Sequence, residues 1–386
     1  MRASATLALA GCAVRRAGQS TAPMRDVDPE KAARQHLITR LDDPYCGEAQ
    51  PERLIRDWLT PESDFFIVNH GNVPVVDAPD SYTIEIFGHI QRGRPLRLAD
   101  LRSMPHTTVE ATLQCAGNRR SEYDAIRRID DPVIWDRGAI GNARWTGVRL
   151  VDVLEQVGVK NDASHVWLEG QDVGADGRFG GSIPIPRIYD RDAPPVLLAF
   201  EMNGKPLSPS HGFPVRAVVP GFIGARSVKW LSRILVATRP SHNSYFLRNH
   251  HWLDGPDGVD QGPIYGLKTN AVICTPASGA AGAGAGAGAG LRGAVTVAGY
   301  AIAGDPRAVV DKVEVSADGG RTWQAATLER HAVASCWRRW RADVEVKGPT
   351  KIVARATDSA GVVQPEVARW NRGGYLYDGW SVVEIA

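Results

Sequence analysis

The chain has 386 residues, of which 43% are hydrophobic and 23% charged, a balance that is ordinary for a globular protein and excludes collagen, long coiled coil and wholesale disorder. The 45 Lys and Arg residues nearly cancel the 43 Asp and Glu residues, so the net charge of +2 predicts no nucleic-acid partner. No apolar run approaches the ~18 residues of a membrane-spanning helix, and we therefore expect no membrane span.

Residues 1–24 allow three interpretations. Arginines, small hydroxyl residues and alanines with no acidic residue before Asp26 are the composition of a transit peptide, which would direct the protein to the mitochondrial intermembrane space. Leu9–Cys12 resembles a lipoprotein processing site, and Met24 is an alternative start; these two interpretations fit a periplasmic or cytoplasmic protein. Composition does not decide among them, so residues 1–24 are expected to be a leader or a disordered extension.

Residues 25–272 combine helix and strand patterns. A helix-starting aspartate and later apolar positions predict a helix over Asp28–Leu41. Four apolar residues at helical spacing predict another over Leu150–Val157, ending at Gly158. Frequent glycine and proline residues add long loops, and the whole indicates an α+β domain. Short apolar runs predict strands over Tyr82–Phe87, Val166–Leu168 and Val196–Phe200.

An Ala/Gly run separates this part from a shorter one. The run at residues 277–290 has few side chains that can pack, which predicts a flexible linker over residues 273–293. Residues 294–386 carry about seven short alternating runs and a hairpin turn at Asp318–Gly320, the pattern of an immunoglobulin-like β-sandwich. The clearest strands are predicted over Ala294–Ile302, Val309–Ser316, Trp323–Leu328, Trp340–Val346 and Lys351–Ala356.

The strongest chemical signal lies at residues 112–120. An apolar, strand-like approach leads to Cys115, a glycine turn and two arginines, Arg119 and Arg120. Positive charge beside a thiol lowers its pKa, and a thiolate is a nucleophile or a ligand for a soft metal. The alternative is a buried structural cysteine, the interpretation we give to the other four of the five dispersed cysteines.

Two further segments carry polar chemistry. Residues 210–230 place His211, Arg216 and Lys229 among glycines, prolines and apolar residues, which predicts a pocket for a phosphate-bearing cofactor rather than a solvated basic loop. Residues 65–74 contain an Asn-His pair able to hydrogen-bond a ligand edge, although taken alone a satisfied core histidine explains it better.

Together and in this order, the three segments resemble the sulfite oxidase family of molybdenum enzymes, which includes the molybdenum part of eukaryotic nitrate reductase. The resemblance runs from about Leu41 to the C-terminus and rests on TLQCAGNRR (112–120), HGFPVRAVVPGFIGARSVKWL (211–231) and QPEVARWN (364–371). It implies a mixed α+β molybdopterin-binding domain followed by an immunoglobulin-like dimerisation domain, and hence a homodimer.

The resemblance also implies a cofactor and the residues that hold it. The cofactor would be one molybdenum per chain on a molybdopterin, without haem, and Cys115 would be the protein's sulfur ligand to the metal. The catalytic positions would be Cys115, Arg120, His251 and Arg372. The cofactor-binding positions would be Phe66, Ile67, Val68, Asn69, His70, Asp172, His211, Arg216, Ser227, Val228 and Lys229.

Three positions depart from the family pattern or match it loosely. Val68 stands where the family usually has an arginine, which removes a cation from the substrate channel. His251 stands where the family has a tyrosine near the metal, and Arg372 matches a family arginine only with an offset of about one residue. Losing one cationic contact to a buried anion costs ~1.5–3 kcal/mol, or roughly 10–150-fold in binding.

The family reaction is oxygen-atom transfer from molybdenum to sulfite, which yields sulfate. The sequence shows no haem, flavin or nicotinamide motif, so electrons would leave for an external acceptor, a cytochrome or dioxygen. Sulfite oxidation is therefore the expected function. The alternatives are a molybdenum enzyme of the same fold that acts on another oxyanion or an S- or N-oxide, such as nitrate, which Val68 favours, and a non-catalytic module that kept the fold.

Overall fold

The structure, a computed structural model, describes residues 34–277 and 292–385. The predicted leader, Cys12 and most of the Ala/Gly run lie outside the described residues. The helix predicted over Asp28–Leu41 is wrong over Leu37–Leu41, because these residues form a strand that pairs antiparallel with Cys46–Ala49. Cross-strand hydrogen bonds and the burial of Leu37 against the sandwich outweigh a weak helical spacing.

The first part of the chain is mostly strand, with short helices. The helices are α1 (Pro51–Leu54), α2 (Leu98–Ser103), α3 (Arg120–Ile126), α4 (Leu150–Val157), α5 (Ile185–Tyr189) and α6 (Ser244–Arg248). The strands are β1 (Leu37–Leu41), β2 (Cys46–Ala49), β3 (Ile67–Val68), β4 (Thr83–Gly88), β5 (Leu96–Arg97), β6 (Thr107–Gln114), β7 (Ile140–Arg149), β8 (His165–Gly174), β9 (Gly177–Pro184), β10 (Leu197–Met202), β11 (Lys205–Pro206), β12 (Arg216–Val218), β13 (Leu231–Ala237), β14 (His251–Asp254), β15 (Val259–Pro263) and β16 (Asn270–Thr275).

Two five-stranded sheets build this part around a common core. One has the order β11-β10-β7-β6 with β12 also on β10, and the other the order β5-β4-β13-β8-β9, in which only the β4–β13 pair is parallel. Helix α4 ends at Gly158, where φ is 69°, as the sequence predicted. Apolar side chains from both sheets and α4 form one cluster, and each fully buried one contributes ~1.5–3 kcal/mol.

The shorter part is the predicted sandwich. Besides β16, its strands are β17 (Gly293–Ile302), β18 (Val310–Ser316), β19 (Gln324–Ala325), β20 (Thr327–Leu328), β21 (Arg338–Val346), β22 (Thr350–Asp358) and β23 (Ser381–Ile385). The two sheets have the orders β16-β17-β21-β20 and β19-β18-β22-β23, which confirms the α+β and immunoglobulin-like fold class. The strand predicted over Trp323–Leu328 is split into β19 and β20, and each of these joins a different sheet.

One strand on the first side of the Ala/Gly run belongs to a sheet of the sandwich. Strand β16 precedes the Ala/Gly run, yet it pairs antiparallel with β17 of the sandwich. The sequence placed residues 270–272 in the first domain and 273–275 in the linker. The sequence of β16 does not indicate which sheet the strand joins, because its hydrogen-bonding partner β17 follows the Ala/Gly run. The predicted division of the chain at residues 25–272 and 294–386 stays a prediction.

The sandwich holds the loop that follows β6. The Arg119 guanidinium is buried and donates to the backbone oxygens of Gly379, at 3.0 Å, and Trp380, at 3.1 Å. Asn118 Nδ2 donates to the Tyr300 hydroxyl at 3.0 Å, and Asn118 Oδ1 accepts from the Ala139 backbone at 3.0 Å. The loop that begins at Cys115 is thus fixed from both parts of the chain.

We expect Gly138→Ala to destabilise the protein by about 1–3 kcal/mol, the usual cost of overpacking. A Cβ on Gly138 would lie 1.9 Å from the Ala49 backbone oxygen, and the residue next to it, Ala139, accepts a hydrogen bond from the Cys115 backbone. Urea unfolding would measure the loss. The matched control is Gly266→Ala, whose Cβ would have the Gly304 oxygen at 4.0 Å as its nearest neighbour; an equal loss in both variants would contradict the argument.

Candidate active site

The three segments singled out in the sequence meet around one cavity, with an empty volume of about 640 Å³ that is partly open to solvent. The predicted residues that line it are Phe66, Val68, His70, Cys115, Asp172, His211, Arg216, Ser227 and Lys229. The other lining residues are Phe65, Leu113, Phe179, Gly224, Ala225, Trp230 and His250. The site therefore unites residues more than 150 positions apart in the sequence.

Strand β6 delivers Cys115 to the cavity wall. The Cys115 backbone N–H donates to Ala139 O at 2.9 Å, and its carbonyl accepts from Asn118 N at 3.0 Å, which closes the turn. The expectation that neighbouring arginines lower the thiol pKa is wrong for the protein without a bound metal. Burial raises the pKa of Cys115 to about 11, and the nearby Arg120 charge opposes this only in part.

Arg120 does not line the cavity, because an aspartate holds it. Its Nη1 lies 2.8 Å from Asp131 Oδ1 and donates to Val133 O at 2.8 Å, and its guanidinium lies 5.0 Å from the centre of the Tyr375 ring. The prediction that Arg120 lines an anion pocket is therefore not met by this arrangement. Its charge is paired with a carboxylate instead of facing a ligand.

Two cations, the partly buried Lys229 and the buried Arg216, line the other wall. Lys229 Nζ donates to Asn69 Oδ1 at 2.5 Å and to Ser210 O at 2.8 Å, so Asn69 contributes by holding the lysine and not by lining the cavity. Arg216 donates to the backbone oxygens of His211, at 2.9 Å, and Ser227, at 3.0 Å, and no carboxylate of the described residues pairs with it. Burial lowers the pKa of Arg216 to about 9. A buried cation of this kind calls for an anionic ligand.

Two residues of the cavity wall have hydrogen-bond acceptor atoms that bind no donor of the described residues. Asp172 Oδ1 and His211 Nε2 are buried without a hydrogen-bond partner among the described residues. Burial, with help from the Lys229 and Arg216 charges, lowers the pKa of His211 to about 3, so its ring is neutral at pH 7 and has one acceptor nitrogen. Unused acceptors beside the buried Arg216 and the partly buried Lys229 fit a ligand that carries both N–H donors and a phosphate, as a molybdopterin does.

A metal bound here would draw most of its ligands from that cofactor. Within the described ranges, no group of three or more His, Cys, Asp or Glu side chains is arranged to hold a metal ion. Of the four cysteines that the structure describes, Cys115 is the one that lines the cavity, while Cys46, Cys274 and Cys336 are free and buried off the cavity wall. One thiolate and an external chelator are consistent with the predicted single protein ligand.

Besides Arg120 and Asn69, four predicted residues lie away from the cavity wall. His251 belongs to β14, where its Nδ1 is 2.9 Å from Asp260 Oδ2. Arg372 is exposed beside Gly258. The side chains of Ile67 and Val228 are buried in apolar clusters. These four residues were predicted from their match to the family sequence pattern, and such a match does not indicate the direction in which a side chain points.

His250 is a polar lining residue that lies outside the predicted site positions, where its neighbour His251 was placed instead. It lines the cavity, is 8% exposed, and adopts the left-handed conformation, with φ of 57°. This backbone conformation turns the ring of His250, and not that of its neighbour His251, toward the cavity. The available signal was the pair of adjacent histidines, and nothing in their spacing indicates which one faces the site.

We expect Asp172→Asn to stabilise the cofactor-free protein at pH 7 by up to about 3 kcal/mol and to change little at pH 4. Burial raises the pKa of Asp172 to about 6, although Lys229 opposes the shift. A carboxyl whose pKa is higher in the folded than in the unfolded protein loses stability as the pH rises between these two values, here from about 4 to 6. The neutral amide of the variant does not titrate.

Urea unfolding at pH 4 and pH 7 measures this effect. Asp100→Asn is the control with the opposite sign, since hydrogen bonds from Arg97 lower the pKa of Asp100. A free-energy difference between wild type and Asp172→Asn that is the same at both pH values would show that folding does not raise the pKa of Asp172.

Two family models match the chain. One, an oxidoreductase molybdopterin binding domain, covers residues 70–245, and the other, a Mo-co oxidoreductase dimerisation domain, covers residues 261–386. In the part of the chain that the structure describes, every helix falls short of the length and apolarity that crossing a bilayer requires.

Relatives match nearly the whole chain. Mitochondrial sulfite oxidase of Mus musculus is 40% identical over 91% of this chain, which spans 66% of that protein's length. Sulfite oxidase of Arabidopsis thaliana is 36% identical over 90% of this chain and 93% of its own. The crystal structure of the sulfane dehydrogenase SoxCD from Paracoccus pantotrophus superposes with a TM-score of 0.76 at 24% identity, covering 96% of each chain, which supports the fold.

Proposed function

Since this chain belongs to the sulfite oxidase family of molybdopterin-dependent oxidoreductases, we propose that it oxidises sulfite to sulfate and passes the electrons to an external acceptor. The observation that carries the proposal is the position of Cys115, whose side chain lines the same cavity as the buried Arg216 and the partly buried Lys229. A soft thiolate and a phosphate-binding wall are the two protein contributions that a molybdenum–pterin group needs.

The lining residues divide into three roles. Arg216 and Lys229 would bind the cofactor phosphate, and the unused acceptors of Asp172 and His211 would bind the N–H groups of the pterin. Cys115 would be the protein's ligand to the metal. Ser227 lines the same wall, but its hydroxyl already accepts a hydrogen bond from the Val219 backbone at 3.0 Å.

When bound, the molybdenum centre supplies the two-electron oxidation and the oxygen-atom transfer, and the protein supplies binding and orientation. Phe65 and Phe66 wall the cavity with apolar surface, and Val68 extends it. Such walls exclude water, which strengthens the electrostatic attraction between the remaining polar groups and an anion.

The remaining partners are proposals of the same kind. We propose one molybdenum per chain, no haem and a homodimer formed through the sandwich, since the second family model is a dimerisation domain. The electron acceptor would be a cytochrome or dioxygen. Gel filtration would measure the oligomeric state, and an absorption spectrum would detect haem.

The direct test is metal analysis of the purified protein, followed by its absorption spectrum with and without sulfite. We expect about one molybdenum per chain and loss of the oxidised metal's absorption bands when sulfite is added. A protein that loads no molybdenum under conditions where a known family member does would contradict the proposal.

One other function has specific support. Val68 lines the cavity where the family usually has an arginine, and Arg120 is paired with Asp131 at 2.8 Å. Both features leave fewer cations free to bind a dianion, which favours another oxyanion or an S- or N-oxide, for example nitrate, as the substrate. Molybdenum that is present but not reduced by sulfite, and is oxidised by nitrate after chemical reduction, would select this alternative.

A further inference from the structure

We propose that His250 is the side chain that hydrogen-bonds the substrate oxyanion in this protein, in a position held by stacking on Tyr375. This inference rests on the proposed function, since it assigns a residue to the same cavity. The sequence resemblance places His251, the neighbour of His250, among the catalytic positions.

His250 is held next to the Cys115 loop. Its ring stacks on Tyr375, with ring centres 5.3 Å apart and an interplanar angle of 30°. Tyr375 is fixed in turn, because its neighbour Leu376 donates a backbone hydrogen bond to Ala116 O at 2.7 Å. Ala116 follows the proposed metal ligand directly, so the imidazole lies on the metal side of the cavity.

Most other polar side chains of the wall are assigned to the cofactor or are engaged within the protein. Arg216, Lys229, His211 and Asp172 line the cavity and are assigned to the cofactor above. The Trp230 indole donates to Pro209 O at 2.8 Å, and the Ser227 hydroxyl accepts from the Val219 backbone. His70 lies between Phe179, at 4.1 Å, and Tyr245, at 5.2 Å, by ring centres. His250 is thus a polar side chain of the wall that the cofactor does not account for.

The ring nitrogens of His250 are available to a ligand. They make no hydrogen bond with the residues of the described ranges, whereas the His250 backbone oxygen accepts from Ile264 N at 2.8 Å. Burial and the neighbouring Arg226 charge hold the pKa of His250 well below its ordinary value. A neutral imidazole offers one N–H donor, which suits an oxygen of sulfite or sulfate.

The backbone of His250 supports a functional position. A non-glycine residue with φ of 57° is uncommon, and such conformations persist where the surrounding structure over-determines them, often at active sites. Here the strained backbone and the stacked ring together fix the direction of the imidazole. The polar contact compensates in part for the cation that is absent at Val68 and for the Arg120 charge that is paired with Asp131.

The test compares His250→Gly and His250→Asn in the molybdenum-loaded enzyme. Glycine removes the side chain and tolerates the left-handed backbone, and asparagine tolerates it while keeping an N–H donor. The first readout is the increase in the thermal midpoint caused by sodium sulfate, which reports binding to the folded protein without turnover. The second is kcat/KM for sulfite per molybdenum, with ferricyanide as the electron acceptor.

We expect His250→Gly to weaken sulfate binding and kcat/KM by roughly 10–150-fold, the effect of losing a hydrogen bond to a charged group, and His250→Asn to lose less. His242→Gln, an exposed histidine, controls for the loss of an imidazole. His251→Gln should lose less than His250→Gly. Retained sulfate affinity and kcat/KM in His250→Gly, or a larger loss in His251→Gln, would overturn the proposal.

Failure of the proposed function would give a different result. A wild-type holoenzyme that does not oxidise sulfite, yet is stabilised by sulfate in a manner that depends on His250, would refute sulfite oxidation and support the oxyanion contact. If sulfite is oxidised but the loss of His250 leaves both readouts unchanged, the function stands and the role of His250 falls.

Discussion

Cys115→Ser is expected to abolish sulfite oxidation while the protein retains its pterin. A serine hydroxyl is a harder and far less acidic ligand than a thiol, so it does not replace a thiolate on a soft metal. Losing an outer-shell partner of a metal already costs ~10–100-fold, so loss of the ligand itself should cost at least about 100-fold in kcat. The pterin should remain, because Arg216 and Lys229 hold it without help from the sulfur.

The measurement is sulfite-dependent reduction of ferricyanide, together with the pterin and molybdenum content per chain. Cys274→Ser is the matched control: Cys274 is also buried and free, but it packs between the two parts of the chain, away from the cavity. A Cys115→Ser protein isolated without pterin would show that the sulfur–metal bond retains the cofactor, and the division of roles would then be wrong.

The sequence predicts the site well where a reactive residue lies in a strand or loop that itself places the side chain at the cavity. Cys115 follows an apolar strand, so its side chain emerges at the end of β6, and the Gly-rich segment around Arg216 and Lys229 folds back as a loop that lines a cavity. Such features can be predicted because they depend on residues that are neighbours in the sequence. The sandwich is predicted for the same reason, since alternation in each short strand marks one buried and one exposed face.

The parts that the sequence misses depend on contacts between distant residues. Arg120 lies five positions from Cys115, but its direction is set by Asp131 and by the segment around Tyr375, more than 250 residues away. The choice between His250 and His251 depends on one backbone angle. Residues 37–41 form a strand because β2 is available to pair with them, and a helical spacing in an isolated segment cannot report that partner.

The replacement Arg216→Met is expected to weaken retention of the cofactor by roughly 10–150-fold, the effect of losing a charge-assisted contact to its phosphate. Arg216 is 5% exposed and donates to three backbone oxygens, and no carboxylate of the described residues neutralises it. A buried cation without a counter-ion is costly, so a bound phosphate stabilises the loaded protein in particular. Arg216→Lys should be intermediate, because lysine keeps the charge but not the planar, forked geometry.

Arg187→Met separates this role from simple structural support. Arg187 is also buried, donates to the backbone oxygens of Pro194 and Pro220 at 2.8 and 2.9 Å, and lies outside the cavity wall. Both methionine variants should lower the free energy of unfolding of the cofactor-free protein, since both leave buried carbonyl groups without donors. Only Arg216→Met should lower the pterin content per folded chain after gel filtration, and equal pterin loss in the two variants would mean that Arg216 acts through stability and not through the phosphate.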